Sequence, residues 1–141
     1  MQVYATAAMR FEEREQGLII NALTPYQAVM GKSEHPEFES LSRKVENPCN
    51  RWDLVALLRC LGNLRDALSK DVSFWVSEAG KVPESSEGIL AKPQEAYLAL
   101  AASRENQVRL AGLAHAMVRK ALGILETWEK ELKQIDAKYQ P

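Results

Sequence analysis

Histidine and cysteine are scarce in this chain of 141 residues, with two of each, and that scarcity removes whole classes of chemistry. Nucleophilic catalysis sets a serine or cysteine beside a base, usually histidine. Only His35, in a polar stretch, and His115, between Ala114 and Ala116, are on hand, and each reads as a solvated side chain. No His-x-x-x-His, Glu-x-x-His or Cys-x-x-Cys spacing occurs, so neither a metal nor another cofactor is expected, and no catalytic residue. Cys49 and Cys60 are too few for a disulfide framework. A reducing cytoplasm is the expected location, with Cys60, among leucines, as a small core residue. Apolar runs stay well short of the ~18 residues that span a bilayer, and Met1–Ala5 lacks the basic and apolar regions of a signal peptide. Charge of one sign is also lacking: 18 Lys and Arg stand against 19 Asp and Glu. With a net charge of −1, no global field draws the molecule to nucleic acid or membranes, and any anion contact has to come from a local patch.

What is present is a globular composition, 46% hydrophobic and 26% charged, of a length that makes one domain, residues 1–141, with a core of its own. Helical periodicity dominates, β-branched residues nowhere alternate with polar ones, and no internal repeat is visible. The fold class is therefore all-α, a compact antiparallel bundle of three long helices with shorter ones attached. The first helix is predicted at about 3–22, with Tyr4, Ala8, Phe11, Leu18 and Ile19 along one side. Thr24-Pro25 reads as a restart, threonine capping and proline at the first helical position. A polar loop over 31–36 precedes a short helix at Phe38–Val45, which Asn47-Pro48 ends.

The strongest signal lies at about 51–79. Leu54, Leu57, Leu61, Leu64 and Leu68 recur at spacings of 3 and 4, extended by Val72 and Trp75, which is a heptad-like seam packed against another helix. A flexible loop is expected at about 80–93, then a short helix opened by Pro93, then a long helix from about Arg104 to Ala137. The stripe predicted to face the core of that last helix is Leu110, Leu113, Met117, Ala121, Ile124, Trp128, Leu132 and Ile135. Trp75 and Trp128 are thus expected in the core, whereas Trp52 is the tryptophan with least claim to burial.

Gly31-Lys32-Ser33 looks like the end of a phosphate-binding loop, but Tyr26 stands where that motif requires glycine and no strand precedes it. Acidic pairs such as Glu12-Glu13 and Glu129/Glu131 read as solvated ion-pair faces. One helix face is less ordinary: Arg109, Gly112, Ala116, Arg119 and Gly123 align, with Lys120 alongside. Small residues there permit close approach of a backbone, within the bundle or from outside. The cations are suited to a phosphate chain or an acidic partner. A second basic group, Arg43, Lys44, Arg51 and Arg59, flanks the start of the leucine-rich helix.

The order of blocks resembles the small-subunit family of type III CRISPR effector complexes, in its type III-B form. The opening Val3-Tyr4-Ala5-Thr6-Ala7-Ala8 is similar to that family's aromatic-Ala-x-x-Ala helix. Asp53–Leu61 resembles its central leucine-rich helix, and Leu68–Val76 its Leu-x-x-Asp-Leu-x-x-Trp-Leu piece. Arg119–Trp128 resembles its closing helix, while Trp52-Asp53 stands where the family has Asn-Gly. The resemblance implies a non-catalytic helical subunit, active in antiviral defence, that stacks in a ribonucleoprotein. Such a subunit touches neighbouring protein subunits and the guide–target RNA backbone, and self-association is open to it. The nucleic-acid contacts would then fall to Arg109, Arg119, Lys120, Arg43, Lys44, Arg51 and Arg59. No membrane partner is implied. Flagellar secretion chaperones share the Tyr-Ala-x-x-Ala opening and supply an alternative, in which apolar grooves cradle a partner helix.

Overall fold

A run of leucines decides the architecture. In a computed structural model, which describes residues 7–31, 35–82 and 91–139, the elements follow in the order β1 (Ala8–Met9), α1 (Glu13–Leu23), α2 (Tyr26–Val29), α3 (His35–Val45), β2 (Cys49–Asn50), α4 (Arg51–Gly80) and α5 (Ala91–Tyr139). The chain is helical almost throughout, as the periodicity predicts. Among the described residues there are two long helices rather than three, preceded by three short ones.

Helix α4 starts where Asn50 and Asp53 cap each other. The Asn50 side chain accepts from the Asp53 amide at 2.9 Å, and Asp53 accepts from the Asn50 amide at 3.1 Å, satisfying two orphan donors of the first turn. From there Leu54, Leu57, Leu61, Leu64 and Leu68 are all fully buried, as the seam predicts. Helix α5 runs back antiparallel along α4, and the pairs between them set the register. Arg51 meets Glu129 at 3.7 Å and Arg104 meets Asp71 at 2.8 Å. Farther along, the Trp75 and Tyr97 rings stack at 5.5 Å and Gln94 donates to the Ala79 carbonyl.

Three expectations about boundaries fail for identifiable reasons. The first described helix begins at Glu13, and a helix running unbroken from residue 3 to 22 is ruled out because Ala8 and Met9 pair antiparallel with Asn50 and Cys49; residues 1–6 lie outside the described residues. A two-residue ladder is too short to leave an alternating pattern in sequence. Thr24 closes α1 instead of capping α2: its hydroxyl donates to the Ile20 carbonyl, and Pro25 stands at the N-cap position of α2. The short helix at Pro93 and the long one from Arg104 are a single helix. Proline within the first turn removes an amide that has no partner there, and Leu98–Ser103 contains no breaker. Most of the expected loop at 80–93, residues 83–90, lies outside the described residues, as does the Gly-Lys-Ser segment beyond Gly31.

The core forms where α1, α2 and α3 cover one end of the hairpin. Phe11, Ile19, Leu23, Tyr26, Leu41 and Val45 meet the leucines of α4 and, on α5, Ala114, Val118, Ala121 and Leu125. Toward the other end, α4 and α5 continue as a pair, held by the Asp71 carboxylate. It accepts from the Arg104 Nε at 2.8 Å and from the Trp75 indole at 3.1 Å. Trp75, expected in the core, is therefore half-buried in this two-helix stretch.

Candidate interaction surface

Helix α5 meets its own chain mainly with small residues. Ala111, Ala114, Val118, Ala121 and Leu125 are buried, whereas the larger side chains predicted to face inward turn out. Leu113 is 56% exposed, Ile124 44%, Trp128 45% and Ile135 43%. The core stripe read from sequence is thus displaced around the helix by one residue. Only Ala121 of that stripe is buried, with Leu110, Met117 and Leu132 intermediate.

The displaced residues form a face of their own. At about 100° per residue, Leu113, Met117, Ile124, Trp128, Ile135 and Tyr139 fall within about 80° of one another, centred about 80° from the buried row. Arg51, the first residue of α4, pairs with Glu129, so residues 130–139 of α5 continue past the start of α4. All of them but Leu132 are exposed. A second exposed apolar group, Phe74, Val76, Leu98 and Leu100, lies on the two-helix stretch.

The small-residue face expected at Gly112, Ala116 and Gly123 neighbours this ridge on its other flank. An added Cβ at Gly112 or Gly123 meets nothing within 4 Å, and Ala116 is exposed. Tight packing against the described helices of the bundle does not account for these glycines.

The cations predicted to bind nucleic acid separate into two sets. Lys44 pairs with Asp53 at 3.0 Å, Arg51 with Glu129, and Arg59 with Glu37 at 2.6 Å. Arg51 also lies over the Trp52 ring, 5.1 Å from its centroid, and Trp52 is 70% exposed. Arg43 is exposed near them, at the end of α3. On α5, Arg109, Arg119 and Lys120 are exposed, with Arg109 hydrogen-bonded to Asn106. Among the described residues, Arg43, Arg109, Arg119 and Lys120 enter no ion pair. The first set sits on α3 and α4 and the second on α5, and the ion pairs of Lys44, Arg51 and Arg59 interrupt a continuous cationic strip.

His115 lies in the α4–α5 seam, with its ring against Gly62. Burial lowers its pKa below the ordinary histidine value, and the nearby cations Arg65 and Arg119 lower it further. Arg65, half-buried on α4, belongs to this group, although no sequence signal singled it out. The ridge itself did leave a signal: six apolar residues at intervals of 4, 7, 4, 7 and 4. It merges with the core stripe when both are read on one wheel.

A notch of about 160 Å³ lined by Ser69, Val72, Glu105 and Val108 is smaller than the ~300 Å³ at which ligand pockets begin. Among the described residues, no three His, Cys, Asp or Glu side chains are grouped to hold a metal, and no helix is long and apolar enough to cross a membrane. No family model, no curated protein and no solved structure matches this chain.

Proposed function

We propose that this protein is a non-catalytic assembly subunit that presents the outer face of α5 to other protein chains. One observation carries the reading: the fold buries α5 mainly through alanines, Val118 and Leu125, and leaves Leu113, Ile124, Trp128 and Ile135 of a second apolar face exposed, with Met117 of that face partly packed on the core. Turning leucine, isoleucine and tryptophan to water while burying alanine forgoes stabilisation of roughly 25 cal/mol per Å². A row of large apolar side chains along one helix marks an interaction site. The membership in a ribonucleoprotein implied by the type III-B resemblance fits an assembly subunit, and so does the chaperone alternative.

The test is co-isolation of the tagged protein from its native cells against a Leu113→Glu, Ile124→Glu, Trp128→Glu variant. These positions are exposed, so the variant keeps its helical circular dichroism. Loss of every partner of the wild type, further copies of itself included, supports the reading. Retention of the same partners overturns it.

RNA-backbone contact is a second reading, supported by Arg109, Arg119 and Lys120 on α5, exposed and without ion pairs among the described residues, beside the open glycines. It predicts binding of a labelled single-stranded RNA that weakens steeply with salt and is lost when the three are changed to glutamate. A folded wild type that binds no RNA at low salt removes it.

A further inference from the structure

We infer that the outer face of α5 pairs with the same face of a second copy of this chain, antiparallel, about a two-fold axis near Glu126. The inference rests on the assembly reading and names the partner.

The spacing of the ridge is its first support. Leu113, Met117, Ile124, Trp128, Ile135 and Tyr139 repeat every 11 residues as two interleaved sets. An 11-residue period is about 3.67 residues per turn, close enough to the helix's own that the row runs almost parallel to the axis. The intervals 4, 7, 4, 7 and 4 read the same in either direction. Two such helices laid antiparallel about residue 126 therefore bring Leu113 level with Tyr139, Met117 with Ile135, and Ile124 with Trp128, each across the pair and each twice. A ridge with an irregular sequence of intervals offers no antiparallel register in which every apolar side chain meets another.

Charge supplies the second support. Lys120 and Glu131 lie on the same flank of the ridge, within about 20° of each other on the helix. A two-fold axis perpendicular to the pair keeps a flank on its own side. In the register just described it sets Lys120 of one copy within about 1.5 Å, along the axis, of the level of Glu131 in the other, and the reciprocal pair forms as well. Lys120 has no ion-pair partner among the described residues of its own chain. A parallel pair instead sets Lys120 level with its own copy. The antiparallel contact is isologous, the commonest way for a soluble chain to form a closed dimer.

The extent is sufficient for a weak dimer. Residues 113–139 span about 40 Å of helix. A strip about 10 Å wide along that length buries roughly 800 Å² over both copies, below the standard specific interface and in the range of weak, transient ones. The exposed end of α5, residues 130–139, would then be covered by the partner's Leu113 and Met117. A helical end without tertiary packing is marginal in water, so this contact gives it a reason to stay helical.

Sedimentation equilibrium of the purified full chain tests the inference, with circular dichroism to confirm that each variant is folded. The wild type is expected to be a monomer–dimer mixture, and Ile124→Glu a monomer. Lys120→Glu alone and Glu131→Lys alone should each weaken dimerisation about tenfold, and the double exchange should restore it to within about threefold. A wild type that stays monomeric at the highest attainable concentration overturns the inference. So does a dimer that survives Ile124→Glu, or one that the double exchange fails to restore. A monomeric wild type whose cellular partners are nonetheless lost from the Leu113→Glu, Ile124→Glu, Trp128→Glu variant overturns the dimer alone and leaves the assembly reading standing.

Discussion

Leu125 and Ile124 are neighbours on α5, yet the fold assigns them opposite roles, and removing each side chain tests that assignment. Leu125 is fully buried against the core of α1–α4. Changing it to alanine removes three carbons, worth roughly 0.8 kcal/mol each in transfer. To that is added a cavity cost of about 24 cal/mol per Å³ wherever the site fails to collapse. The sum is about 3 kcal/mol. For Ile124→Ala, nearly half of the side chain is already in water and no closed cavity forms, so the transfer loss is about 1 kcal/mol. The higher helix propensity of alanine returns a few tenths of that. Urea unfolding followed by far-UV circular dichroism, at a concentration where the chain is monomeric, measures both. Leu125→Ala should lower the midpoint strongly with an unchanged slope and lower Tm by roughly 6–12 °C, while Ile124→Ala should shift both only slightly. Equal losses, or the larger loss at Ile124, would refute the placement of the α5 faces and with it the ridge.

Two further predictions concern the groups that hold the hairpin. The Cys49 thiol is buried and donates to the Lys44 carbonyl at 3.3 Å. Burial pushes its pKa from the ordinary 9.0 up to about 11, with the Asp53 carboxylate adding to the rise and Lys44 opposing it. A raised thiol pKa means that the unfolded chain loses its proton first. The stability linked to Cys49 is therefore fully present below about pH 9 and drains away as pH rises through about 11. The wild-type urea midpoint should fall over that window by more than that of Cys49→Ala, and parallel curves would refute the assignment. At the other end, Asp71→Ala strands Arg104 and the Trp75 indole. The carboxylate is only 27% exposed, so the loss should be about 1.5–3 kcal/mol. Hydrogen exchange should speed up around residues 71–104 well before the core, and uniform protection throughout would show that the carboxylate does not hold this stretch.

How far the fold could be read beforehand depended on the size of the side chains that carry each element. The α4 seam is legible because it is built of five leucines, large and regularly spaced, with nothing comparable elsewhere on the helix. The Asn50–Asp53 cap could have been found from residue types, since asparagine is followed three residues later by a carboxylate. The Ala8–Asn50 pairing could not, because two residues carry no period. The candidate site was legible only as a set of residues. The cations of α5 are exposed, while the ion pairs of Lys44, Arg51 and Arg59 depend on helix packing that no local pattern encodes.

The misreading of α5 has a physical cause that bears on function. A periodicity reading weights residues by hydrophobicity, so Leu113, Ile124, Trp128 and Ile135 outvote Ala111, Ala114, Val118 and Ala121 and pull the inferred core face toward themselves. The fold weights residues by fit. With α4 alongside and α1 crossing, small side chains let the α5 backbone come close, and the fully buried leucines of α4 fill the space between. Rotating α5 to bury its larger residues would overpack that seam, at a typical cost of 1–3 kcal/mol, and would turn alanines to solvent. The inner face is therefore satisfied by this chain alone, and nothing in its packing calls for a leucine, a tryptophan and two isoleucines on the outside. Their regular recurrence in a palindromic row, with Lys120 and Glu131 placed to match across a two-fold axis, is a pattern that one copy of the chain has no use for and two copies do.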